Sequence, residues 1–131
     1  MCRVLGYLGS PILLEHLLYS PDSSLIRQSY DPRMLGNLNL AGFGVAAWDS
    51  QAVDPVSPIK YRTTELPVFD SNLHALSASI RTHCVLAHVR GVDLSYDAEI
   101  GRQNLHPFSF RETPMVFAHN GDLASFRDMR F

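Results

Sequence analysis

Met1-Cys2-Arg3-Val4-Leu5-Gly6-Tyr7-Leu8-Gly9 opens the chain. It is short, apolar-rich and closed by a glycine, which predicts a first strand over residues 2–8. Ser10-Pro11 then reads as an N-cap followed by a proline in the first helical position, so residues 12–18 are expected as a short helix, broken by Pro21-Asp22-Ser23-Ser24. Residues 29–41 carry proline, glycine and asparagine with little periodicity and read as loop. Gly42-Phe43-Gly44-Val45-Ala46-Ala47-Trp48 predicts a buried strand whose glycines suggest close approach by other backbone. A long connection holding Pro55, Pro58 and Pro67 leads to a helix capped by Ser71, with Leu73, Leu76 and Ile80 spaced at three and four.

Residues 84–90 form the next expected strand, with Cys84, Leu86, His88 and Arg90 on one face by period two. A polar loop runs from Gly91 to His106. Pro107 to Arg111 and Met115 to Ala118 predict a hairpin around Glu112-Thr113-Pro114, His119-Asn120-Gly121 a turn, and Leu123 to Arg130 a further helix. Paired strands and segregated helices indicate an α+β class rather than an alternating parallel sheet. No repeat or linker divides residues 1–131, which read as one domain.

Composition narrows the function. The chain is 46% hydrophobic and 18% charged, which suits a folded globular domain. Eleven Lys and Arg against thirteen Asp and Glu leave a net charge of −2, so neither nucleic acid nor an anionic membrane is an expected partner. No apolar run approaches membrane-span length and the start lacks the build of a signal peptide, so a cytoplasmic protein is expected. Its two cysteines, Cys2 and Cys84, are expected as free thiols. Cys84 sits in an apolar run and reads as a small buried residue.

Cys2 differs by its position. Removal of Met1 would leave it with a free α-amino group. An α-amine pKa of roughly 7.7–8 and a thiol pKa of about 8.5 lie close enough for the amine to take the thiol proton. One residue would then supply nucleophile and base. Arg90, at a strand end, can hold a carboxylate through two parallel hydrogen bonds, or can form an ordinary ion pair. Asn120 and the Gly121 N–H can point two donors at one oxyanion, although Asn-Gly is also a common hairpin turn. His83, Cys84 and His88 do not make a zinc site, because neighbouring strand residues point to opposite faces. Gly42-Phe43-Gly44 lacks the rest of a dinucleotide or phosphate-loop fingerprint. Asp93, Asp97 and Glu99 read as a solvated loop face. No metal or cofactor is expected.

The ordered set of motifs resembles class II glutamine amidotransferases, nearest to the stand-alone branch that includes ergothioneine-pathway γ-glutamyl amidohydrolases and related glutathione-degrading enzymes. It comprises the opening nonapeptide, Gln28-Ser29-Tyr30-Asp31-Pro32-Arg33, Ser71-Asn72-Leu73-His74, and Arg81-Thr82-His83-Cys84-Val85. It continues through Ala87-His88-Val89-Arg90, Asn104-Leu105-His106-Pro107-Phe108 and Phe117-Ala118-His119-Asn120-Gly121. The resemblance implies an N-terminal-nucleophile hydrolase, a sandwich of two antiparallel sheets between helical layers, incomplete here at its C-terminal side.

By the same resemblance, Cys2 attacks the side-chain amide of glutamine or a γ-glutamyl compound, forming a γ-glutamyl thioester that water hydrolyses. Asn120 and Gly121 hold the oxyanion, and Arg90 binds the substrate α-carboxylate. Two departures stand out. Ala41-Gly42-Phe43-Gly44 replaces the family's Asp-Gly-Trp-Gly, and Val92-Asp93 follows the arginine where the family has alanine and then threonine or asparagine. Asp93 would meet the substrate's ammonium, or lie outside the pocket. With no synthase domain following, hydrolysis is preferred over amidotransfer. The competing reading is a truncated or degenerate member acting as a non-catalytic binding module.

Overall fold

A computed structural model describes residues 2–33, 38–92, 101–121 and 125–129. Its centre is a four-stranded antiparallel sheet of β1 (Arg3–Leu13), β2 (Phe43–Trp48), β3 (Ile59–Thr63) and β4 (Arg81–Val89), in the order β1-β4-β2-β3. A hairpin of β5 (Phe108–Ser109) and β6 (Val116–Phe117) makes a second, two-stranded sheet, pairing Phe108 with Phe117. Three helices, α1 (Glu15–Leu18), α2 (Arg27–Tyr30) and α3 (Ser71–Ser79), complete the described elements together with two 3-10 turns, Arg102–Asn104 and Phe126–Met129. The class is α+β with two antiparallel sheets, as expected from the sequence.

Strand alternation separates two faces. Phe43, Val45 and Ala47 on β2 and Val85, Ala87 and Val89 on β4 face one way, where they pack with Leu14, Leu18, Leu25, Ile26 and Leu73 from the helical segments. The opposite face of β4 carries Cys84, Leu86 and His88, with Cys84 and Leu86 half-buried and His88 fully buried. β4 is central, paired with both β1 and β2. β1 is an edge strand, and Val4 and Leu8 on its outward face are exposed.

The helix expected at residues 12–18 is shorter, because β1 runs on through Ser10-Pro11 to Leu13. The β1–β4 register shifts between Leu8, opposite Cys84, and Ile12, opposite Thr82. Gly9, Ser10 and Pro11 occupy that irregularity on an edge strand, where a proline forfeits no ladder hydrogen bond. Arg81 Nη2 donates to the Pro11 carbonyl at 2.9 Å and ties the bulge back to β4.

Helix α3 is where the leucine spacing puts it, but its cap is Asp70, one residue before the expected Ser71. The Asp70 carboxylate accepts from the Leu73 N–H at 3.0 Å, satisfying a donor that the helix start leaves open. It also accepts from the Tyr61 hydroxyl at 2.5 Å, which joins the helix to β3. Strand β3, not expected from the sequence, lies in the long connection that holds Pro55, Pro58 and Pro67, and α2 overlaps the start of the segment read as loop.

Candidate active site

Register places the ends of β1 and β4 together. Arg3 faces Val89, so Cys2, one residue earlier, stands beside Arg90, one residue later. The Cys2 thiol donates to the Gly91 carbonyl at 3.5 Å. Cys2 and Cys84 are both free. The Arg90 backbone continues the sheet past its last ladder pair, its N–H donating to the Gly42 carbonyl at 2.8 Å and its carbonyl accepting from Ala41 at 3.0 Å. The guanidinium Nη1 donates to the Asn104 carbonyl at 2.7 Å, so Arg90 is fastened to the segment that precedes β5.

That segment, residues 104–107, crosses the β2 end of the sheet. A Cβ on Gly44 would lie 2.0 Å from the His106 carbonyl oxygen, and one on Gly42 would lie 2.5 Å from a Leu105 methyl. Both glycines of the Gly-Phe-Gly run therefore admit close backbone approach, and Gly42 also has φ +120°. Arg62 donates to the Pro107 carbonyl, and Lys60 Nζ reaches Ser109 Oγ at 3.2 Å, so β3 grips the same stretch.

The face of β4 predicted to carry His88 meets this segment through the His106 ring. His88 Nε2 and His106 Nδ1 share a hydrogen bond at 3.2 Å, with the rings edge-on at 4.4 Å between centroids. His106 in turn lies edge-on to Phe108 at 4.4 Å and 5.2 Å from the His119 ring. Burial is the main reason that the His88 pKa falls to about 3, with the charges of His106, Arg90 and His119 adding to it. The same effect, reinforced by His119, Arg90 and Arg62, brings His106 down to about 4. Both imidazoles are consequently neutral near pH 7.

His119-Asn120-Gly121 thus begins against the histidine cluster and ends in solvent. Asn120 and Gly121 are exposed, and Gly121 has φ +142°, the positive φ expected of this turn. Space around Gly121 is open, so the backbone angle alone favours glycine there. Neither residue is joined to Cys2 by a hydrogen bond among the described residues. Asp93 lies outside the described residues. Among those described, no group of three or more His, Cys, Asp or Glu is arranged to hold a metal ion, and no helix is long and apolar enough to cross a membrane. The sequence by itself assigns His106 no role, although it sits within the motif Asn104-Leu105-His106-Pro107-Phe108.

Comparison with known proteins identifies the family. Residues 24–130 match the model of class II glutamine amidotransferases, and the chain belongs to that family. It is 31% identical over 123 residues to the γ-glutamyl-hercynylcysteine sulfoxide hydrolase of Mycobacterium tuberculosis, an alignment covering 92% of this chain and 49% of that protein. A probable glutamine amidotransferase of Saccharomyces cerevisiae is 32% identical over 137 residues, covering 99% of this chain and 37% of its own. A solved glutamine aminotransferase class-II domain protein from Silicibacter pomeroyi is 26% identical with a TM-score of 0.43, covering 68% of this chain and 29% of that one. The chain spans about half the length, or less, of these curated relatives.

Proposed function

We propose that the chain is the N-terminal part of a type-2 glutamine amidotransferase domain, residues 1–131, and that Cys2, freed by removal of Met1, hydrolyses the side-chain amide of glutamine or a γ-glutamyl compound. The observation that carries this reading is the β1–β4 register, which sets the Cys2 thiol beside Arg90 at one end of the sheet. A γ-glutamyl substrate offers an α-carboxylate at one end and an amide at the other. Arg90 suits the first through a bidentate charge-assisted pair, and Cys2 the second. Asp93, three residues past Arg90 in the sequence, is assigned to the substrate ammonium.

In this mechanism the α-amine takes the thiol proton and the thiolate adds to the amide carbon. The oxyanion is held by the Asn120 side-chain amide and the Gly121 N–H, and loss of one such donor costs about a hundred- to a thousand-fold in rate. Collapse breaks the C–N bond, the protonated α-amine gives its proton to the departing amine, and a γ-glutamyl thioester remains. Water then adds to the thioester carbon, releasing the γ-carboxylate and the thiol. No metal or cofactor enters any step. The free thiols of Cys2 and Cys84 suit a reducing compartment, the cytoplasm.

The exposure of Asn120 and Gly121 favours the second reading, a non-catalytic binding module, to the extent that the turn stays away from Cys2 when substrate binds. Intact-mass measurement before and after a diazo-ketone glutamine analogue separates the two. Loss of Met1 with one adduct on Cys2, abolished in Cys2→Ala, is the expected result. Retained Met1, or labelling of Cys84 alone, rules the thiol amidohydrolase out.

A further inference from the structure

The stretch 104–107 touches three strands at this end of the molecule. It receives Arg90 from β4 at Asn104 and Arg62 from β3 at Pro107, and it lies on β2 at Gly42 and Gly44. Its one inward-facing polar ring, His106, is 7% exposed and spans the gap between β4 and the His119 turn. The β5–β6 hairpin that carries this turn is only two residues long on each strand and belongs to a separate sheet, so among the described residues no ladder hydrogen bond ties it to the four-stranded sheet. Ring contacts do so instead, together with Lys60, which donates to Ser109 on β5, and the His119 backbone, which hydrogen-bonds to His88. Phe108 and Phe117 face each other across the hairpin, Phe108 packs edge-on to His106, and Phe117 stacks on His119 at 6.1 Å.

We propose that His106 is a positioning residue, a strut hydrogen-bonded to His88 on the sheet that sets where His119-Asn120-Gly121 stands relative to Cys2 and Arg90. For its catalytic consequence the inference rests on the function proposed above; the strut itself does not. Two neutral imidazoles suit the task, because one ring nitrogen donates and the other accepts, and the bond is buried away from competing water. His106 reaches the donors of the oxyanion only through His119, so its loss should act on the transition state more than on substrate binding.

The test compares full-length wild type with His106→Phe, which keeps a ring and removes the hydrogen bond, and His106→Asn, whose amide can stand in for Nδ1. Amide hydrogen exchange of residues 116–121 reads turn placement without reference to catalysis, and hydrolysis of γ-glutamyl-p-nitroanilide reads the reaction. His106→Phe is expected to speed exchange of the turn. It should lower kcat about ten- to a hundred-fold with KM within about threefold, the cost of donors misplaced by an ångström or so. His106→Asn should recover most of both. Should His106→Phe fail to fold, His88→Leu cuts the same bond from the sheet side and is read identically.

Unchanged exchange at 116–121 in the variant overturns the strut. Faster exchange with kcat unchanged, or a loss confined to KM, overturns the positioning role. A wild type that neither hydrolyses the probe nor forms the Cys2 adduct overturns the proposed function and with it the catalytic role, while the exchange data still decide the strut on their own.

Discussion

Acid should unfold this protein early, and the buried histidine pair sets how early. His88 is 1% exposed and His106 7%, their nitrogens 3.2 Å apart. The charged groups around them are Arg90, Arg62 and His119, all cationic or able to become so, and no carboxylate contacts either ring among the described residues. In the unfolded chain each histidine takes a proton near its ordinary 6.5, whereas in the fold His88 resists down to about 3 and His106 to about 4. A depressed pKa means that the fold binds the proton later than the unfolded chain does. The contribution is therefore complete above pH 6.5, erodes as pH falls, and is fully lost once pH has passed through 4 and then 3.

Each pH unit in that window costs about 1.4 kcal/mol per histidine, so moving from pH 6.5 to 5 removes about 2 kcal/mol from each and about 4 from the pair. That is a large share of the roughly 5–15 kcal/mol typical of a folded domain. Urea unfolding at pH 8, 7, 6 and 5 measures it directly, and with slopes of about 1–3 kcal/mol/M the midpoint should fall by more than about 1 M between pH 7 and 5. The His88→Gln/His106→Asn double variant removes both titrating groups and should show a much flatter dependence. A wild-type midpoint that is flat over this range, or a fall equally steep in the double variant, refutes the assignment.

Gly44→Ala places a methyl group 2.0 Å from the His106 carbonyl oxygen, where ordinary contact begins at 3.4 Å, and the obstacle is backbone fastened on both sides. A cost of about 1–3 kcal/mol or more is expected, visible as a Tm lower by several degrees; an unchanged Tm would show that residues 104–107 do not lie on β2. Asp70→Ala removes both the α3 cap and the acceptor of the Tyr61 hydroxyl, and should cost about 2 kcal/mol in chemical denaturation. Asp70→Asn, which can still cap, should cost less, and equal losses would mean that the cap contributes nothing.

Much of the architecture was readable from local pattern. The apolar run at β2, the alternation along β4, the leucine spacing of α3 and the turn residues between β5 and β6 each report a period or a breaker that the backbone must obey. What local pattern misjudged has a common physical origin. Ser10-Pro11 is a sound helix start by propensity, but an edge strand with a bulge tolerates the same residues, and pairing with β4 decided between them. β3, at Ile-Lys-Tyr-Arg-Thr, alternates weakly because only its inner residues meet the core, and its partner β2 makes it a strand.

The candidate site divides the same way. Cys2 is recognisable by its place after Met1, Arg90 by ending a strand, and Gly121 by a turn that needs a positive φ, all properties of residue type and neighbours along the chain. The sequence alone therefore determined the family and most of the strands, and it named the candidate reactive groups. Tertiary structure alone decided that Cys2 stands beside Arg90, across nearly ninety residues, and that the buried His88 and His106 gather with the half-buried His119. Register between distant strands and the burial that neutralises a histidine arise from contacts far apart in the chain, and no window of sequence contains them.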